Sequence, residues 1–320
     1  MTARAPRPGS AASQASKQLF EEWNRATRKR CSTMDTPEID PTNALSAALN
    51  RRAFVAMSTG ATLAASAPAL AQEDLGHTHA PLVAEHDPAI ATEHVALQGG
   101  AESISAYAAW PASAGPRTPS VVVIMHLWGV DAQIRDTVRR LAKAGFAAIA
   151  PDLYARFGAP SGDGVTDYTV FRPYAMRLER DVWLGDVRAA AQWLSTRFPG
   201  TKTGIMGFCM GGKLALIAAT QEGELFAVVA PFYGDVADID PTAVRIPLCG
   251  SYGGRDTGIP AEKVRAFTAS LTVPNDVRIY EQAGHAFFDD QRPSYVASAA
   301  SDAWARTLAC FNKYLAGEKP

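Results

Sequence analysis

The sequence predicts an α/β protein, a mostly parallel sheet with helices on both faces. Three observations lead there. Continuous β-branched runs such as SVVVIM at 120–125 alternate with stretches of helical periodicity. At 203–219, TGIMGFCMGGKLALIAA passes from a β-like segment through glycines into a helix-compatible run. Asp256 and His285 each follow a further strand-like run, at the sheet edge where parallel sheets build their sites.

The elements justify this in order. Residues 104–110 form an early strand, and 120–125 lack polar alternation, as a strand buried on both faces does. Residues 132–144 place Ile134, Val138 and Leu141 on one side of a helix that Gly145 stops. Residues 146–150 form the next strand, ended by Pro151, before a loop at 152–173 rich in Gly, Asp and Pro. Helical periodicity then runs over 176–198 through Leu184, Val187, Ala191 and Leu194. After 203–219 come strands at 226–230, 246–251 and 277–280 and helices at 261–271 and 294–315. No internal repeat is visible.

The folded body is expected at 93–320. Residues 1–50 have little apolar periodicity and predict a disordered extension, with Met34 a candidate true start. Residues 51–71 combine Arg51-Arg52, a weakly apolar run and Ala69-Leu70-Ala71, which resembles a twin-arginine signal peptide. The match has Asn50 where Ser or Thr is usual and ends without lysine. This predicts handling by export machinery and a periplasmic or secreted product. An ordinary amphipathic N-terminal helix is the alternative. The run is too short and too rich in small residues for a membrane span, so no stable membrane association is expected after processing. Residues 72–92 read as a solvated linker. His77, His79, His86 and His94 lie in or beside it, which leaves His126 and His285 of the six histidines for the body. His77-x-His79 lacks supporting ligand spacing, and no metal is expected.

Hydrophobic content of 47% and charged content of 20% fit a globular protein with a large core. With 31 Lys and Arg against 32 Asp and Glu, charge gives no reason to expect a nucleic-acid partner. A small-molecule substrate and a monomer are expected. Cys31, Cys209, Cys249 and Cys310 are widely spaced and contain no C-x-x-C, suggesting neither a zinc site nor a disulfide framework. A Cys249–Cys310 bridge stays open, but two buried free thiols are the expectation.

GFCMG fits the nucleophile elbow G-x-S-x-G with cysteine for serine. Glycines there let strand and helix approach each other around a strained turn. A helix N-terminus after Cys209 would favour its thiolate. Alone, the motif equally fits a buried cysteine in a glycine-rich turn. Asp256 in GGRD and His285 in GHAFF shift the balance, because nucleophile, acid, histidine is the chain order of the α/β-hydrolase fold.

GFCMGG, GGRDTGIP and GHAFFDD, with VVVIMHLWGVDAQIRDTVRRLAKAGFAAIAPDLYAR upstream, resemble the dienelactone hydrolase family of cysteine-dependent α/β-hydrolases over roughly 93–317. The resemblance implies a Cys209–His285–Asp256 triad and a thioester acyl-enzyme. It implies hydrolysis of a dienelactone ring ester, of the carboxymethylenebutenolidase type, or of a related small ester or lactone, without cofactor. By position, the backbone N–H groups of Met210 and Leu127 would form the oxyanion hole.

Two positions depart from the family pattern. His126 stands where a glutamate meets the resting thiol, and is the candidate thiol-modulating residue; packing at a strand end is its alternative role. Asp289 stands where an arginine grips the substrate carboxylate, and an acid there would repel an anion. Arg172, Arg177 and Arg292 are candidate substitutes. A carboxylesterase or thioesterase for a neutral substrate, and a catalytically silent small-molecule binding protein, are therefore the competing functions.

Overall fold

The computed structural model describes residues 79–99 and 102–315. The expectations for the extension, Met34, the signal stretch and His77 lie outside the described residues. Three strands, β3 (Ser120–Ile124), β4 (Ala147–Pro151) and β5 (Thr203–Phe208), are buried at every residue. Since successive side chains alternate faces, both faces of the sheet are covered. The other strands are β1 (Ile90–Gly99), β2 (Glu102–Pro111), β6 (Phe226–Phe232), β7 (Ser251–Gly253) and β8 (Arg278–Tyr280). The eight lie in the order β1-β2-β4-β3-β5-β6-β7-β8. From β4 to β8 all pairings are parallel, while β1 and β2 form an antiparallel pair and β2 meets β4 antiparallel. This is the α/β-hydrolase fold.

The helices are α1 (Ala132–Lys143), the single turn α2 (Arg172–Ala175), α3 (Arg180–Arg197), α4 (Met210–Gln221), α5 (Ala261–Ala269) and α6 (Ala297–Leu315). The expected helix over 176–198 therefore starts at Arg180, and a separate turn with proline near its N-terminus precedes it. Two 3₁₀ turns, Ala155–Phe157 and Tyr168–Val170, punctuate the expected loop. The strand expected over 246–251 pairs regularly only at Ser251–Gly253, with isolated parallel bridges at Leu248.

The body begins before residue 93. β1 starts at Ile90 and pairs along its whole length with β2. The end of the stretch read as a solvated tether is docked: Val83 is buried, and the Leu82 and Val83 amides donate to Asp136 at 3.0 and 2.9 Å. Asp136 is fully buried and ion-paired with Arg140, which also bonds Asp290.

The expectation of two free thiols is corrected. Cys249 and Cys310 form a disulfide across 61 residues, with Cα atoms 6.5 Å apart. The Cys249 amide donates to Val229 O of β6, and α6 packs on β5 and β6. Tertiary packing, rather than sequence spacing, therefore brings the sulfurs together. Among the described residues Cys209 is the free cysteine.

Candidate active site

β5 delivers Cys209 and α4 leaves from it. The turn is tight: a Cβ on Gly207 would lie 2.2 Å from Gly211 O, and one on Gly211 would lie 2.4 Å from Ile124 O. Only glycine fits either place. Cys209 itself takes φ 54° and ψ −116°, a strained backbone for a residue with a side chain, and it caps the N-terminus of α4. Its amide donates to Phe232 O at 3.0 Å, fixing the turn to β6.

The loops after β7 and β8 bring two more groups to this point. His285 Nε2 is 3.0 Å from Cys209 Sγ, and His285 Nδ1 is 2.6 Å from Asp256 Oδ2. The other Asp256 oxygen accepts from the Gly258 and Ile259 amides at 2.8 and 3.0 Å, so the carboxylate is fully engaged. Its side chain is 3% exposed against 38% for His285. Tyr233, with φ 38°, packs its ring 5.2 Å from the imidazole.

The electrostatics favour separated charges. Burial alone would push the Cys209 thiol up, but the adjoining His285 outweighs it, helped by the Met210 amide, and the net direction is down. Burial alone would lower His285; the Cys209 thiolate and Asp256 reverse this and raise it well above the usual imidazole value. Thiolate and imidazolium support each other.

Beside Cys209 lies the loop after β3, residues 126–129. Two of its amides have partners within the loop. Trp128 N–H donates to His126 Nδ1 at 3.2 Å and Gly129 N–H to His126 O at 3.2 Å. The Leu127 carbonyl accepts from Tyr154 O–H at 3.1 Å, and the same hydroxyl lies 3.6 Å from Met210 Sδ. Leu127 N–H has no partner among the described residues.

His126 does not bond the thiol. Its Nδ1 accepts from Trp128, and its Nε2 lies 3.0 Å from Asp131 Oδ1. Burial opposes a charge on this ring while Asp131 and then Asp289 favour one, but a second proton would have to sit on Nδ1, where the Trp128 N–H already donates. Asp131 also caps α1, accepting from Ile134 N–H at 3.2 Å.

Asp289 is corrected too. It is 5% exposed and bonded to Arg292 Nε at 2.9 Å, so it presents no free acid to a substrate. Arg292 reaches Asp131 at 3.5 Å, donates to Val165 O at 3.1 Å and lies 3.6 Å over the Trp128 ring. It is therefore committed, and Arg177 lies 4.2 Å over Phe157. Tyr154 and Asp131, which sequence reasoning missed, complete a cluster with Arg292, which it named only as a candidate carboxylate grip; of the two missed, only Asp131, placed before the periodic residues of α1, carried a readable signal as a helix cap. Among the described residues no group of three or more His, Cys, Asp and Glu is arranged to hold a metal.

Residues 104–315 match the model of the dienelactone hydrolase family. The chain belongs to the dienelactone hydrolase family. It is 34% identical over 247 residues to "Putative carboxymethylenebutenolidase" of Escherichia coli strain K12, covering 73% of this chain and 91% of that protein. Against "Probable 2-oxo-3-(5-oxofuran-2-ylidene)propanoate lactonase" of Bradyrhizobium it is 30% identical, covering 72% of this chain and 97% of the relative. Among solved structures, "Putative Dienelactone Hydrolase" from Klebsiella pneumoniae superimposes with a TM-score of 0.65 at 30% identity, covering 71% of this dienelactone hydrolase family member and 100% of that chain. The protein is thus a hydrolase of this family.

Proposed function

We propose that Cys209, His285 and Asp256 form a catalytic triad that hydrolyses a small ester or lactone through a thioester. One observation carries the reading: His285 stands between Cys209 at 3.0 Å and Asp256 at 2.6 Å, with a different ring nitrogen toward each. Cys209 attacks the carbonyl carbon as a thiolate. The carbonyl electrons move to oxygen, where the Met210 and Leu127 amides receive the charge, each such donor being worth roughly 10²–10³ in turnover. The tetrahedral intermediate collapses, His285 protonates the departing oxygen, and a thioester remains. His285 then takes a proton from water, hydroxide adds to the thioester, and the acid leaves with the thiolate restored. Asp256 holds the imidazole tautomer and supports its cation.

For the substrate, the Arg292–Asp289 pair favours a neutral ester or lactone over an anionic dienelactone. Neither partner offers an unshared charge to a carboxylate. A screen of chromogenic esters, followed by cis-dienelactone against neutral lactones, tests both levels. Turnover with faster neutral substrates is expected, and faster dienelactone turnover would overturn the neutral assignment. No turnover together with no iodoacetamide adduct on Cys209 would favour the silent binding protein.

We also propose export to the periplasm or beyond. The twin-arginine-like residues 51–71 support it, and so does the Cys249–Cys310 disulfide, a bond typical of oxidising compartments. A mature N-terminus near Gln72 in a periplasmic fraction is the expected finding; intact Met34 in cytosolic protein would contradict it.

A further inference from the structure

We propose that His126 is a positioning residue for the oxyanion loop, acting as the neutral imidazole that holds Trp128 N–H on one side and Asp131 on the other, and not as a partner of the Cys209 thiol. The inference rests on the hydrolase reading above and deepens it.

The tautomer follows from the partners. A backbone N–H donates to Nδ1, so Nδ1 carries a lone pair. The ring proton then sits on Nε2 and points to Asp131 Oδ1, 3.0 Å away. Both nitrogens are used, and neither faces Cys209 in a hydrogen bond. A second proton would have to go on Nδ1, where it would oppose the Trp128 N–H. The holding contact and a charged ring therefore exclude each other.

What is held matters for chemistry. Leu127, whose amide has no partner among the described residues, lies between His126 and Trp128 in the chain. Gly129 N–H on His126 O holds the His126–Leu127 peptide that carries the Leu127 N–H. Pinning Trp128 N–H to His126 and the Leu127 carbonyl to Tyr154 fixes the next peptide from both ends. Arg292 above the Trp128 ring and Asp131 at the start of α1 anchor the same clamp. The loop thus keeps the Leu127 amide unspent while the Trp128 and Gly129 amides after it are consumed. A misplacement of about 1 Å at such a site is worth about 10²-fold in rate.

The test separates this role from thiol tuning because alkylation of Cys209 by iodoacetamide needs a thiolate but no oxyanion hole. For His126→Ala, kcat on a chromogenic ester should fall about 10²-fold with KM little changed. The pH profile of Cys209 alkylation should match that of the unsubstituted protein. His126→Asn, whose amide oxygen can take the place of Nδ1, should recover most of the loss. His126→Gln, which reaches toward Asp131 instead, should not. A shifted alkylation profile, an unchanged kcat, or Gln equal to or better than Asn would each overturn the proposal. If the alanine variant does not fold, the Asn and Gln comparison decides alone. An unsubstituted protein without ester turnover would instead remove the hydrolase reading, and this one with it.

Discussion

Arg292 holds Asp289: Nε donates to Oδ2 at 2.9 Å, with both side chains largely buried. Where the family pattern leads one to expect a cation facing the substrate, this chain has an acid already neutralised by a neighbour. The same guanidinium faces Asp131, so three elements converge on it: the loop after β3, the start of α1 and the segment after His285.

Removing that guanidinium leaves two buried acids without their cation. Arg292→Ala should destabilise the fold by about 3–5 kcal/mol, the usual range for breaking a buried pair from one side. Urea unfolding of the variant beside the parent checks this, and a change below about 1 kcal/mol would mean the pair behaves as a surface one.

Cys209 should alkylate at lower pH than an ordinary thiol, whose pKa is about 8.5. The sign follows from the pair. His285 as a cation stabilises the thiolate, so its loss moves the titration up. His285→Ala should therefore shift the iodoacetamide pH profile to higher pH, and a profile left in place would deny the coupling.

Cys209→Ser should fail as an enzyme while keeping the fold. The hydroxyl holds its proton far more tightly than a thiol, and His285 is raised by a thiolate that the variant cannot form. Loss of at least about 10²-fold in turnover is expected. Turnover near that of the parent would contradict a mechanism based on the thiolate.

The disulfide closes a loop of 61 residues, for which chain entropy gives about 4 kcal/mol. The Cys249→Ser, Cys310→Ser double variant should lose stability of this order in urea. It should also respond no further to dithiothreitol, whereas the parent should fall toward it when reduced.

The alternation of strands and helices was readable because β3, β4 and β5 are buried on both faces, and such strands advertise themselves as apolar runs. β1 was not, because its exposed residues Glu93, His94, Ala96 and Gln98 dilute the pattern and only the pairing with β2 makes it a strand. Cys209, Asp256 and His285 were legible from glycine context and order. The bond between Cys249 and Cys310, and the commitments of His126 and Asp289, were not. The disulfide joins segments 61 residues apart, and local sequence carries no mark of which segment folds against which. His126 and Asp289 bond neighbours within five residues, but spacing in a loop does not say which side chains turn toward each other.

β7 and β8 are three residues each, and β7 meets β6 through a single ladder pair, Phe232 with Ser251. Cys209, by contrast, leaves β5 in the middle of the sheet, paired on both sides. The site therefore joins the firmest part of the sheet to its thinnest rim. Slow opening should begin at the rim: amides of 251–253 and 278–280 should exchange with deuterium well before those of 203–208. In such an opening the acid and base would leave together while the thiol stayed in its turn. Cys310, bound to the stretch that leads into β7, ties that rim to α6. Reduction should speed deuterium uptake at 251–253 before it affects the centre.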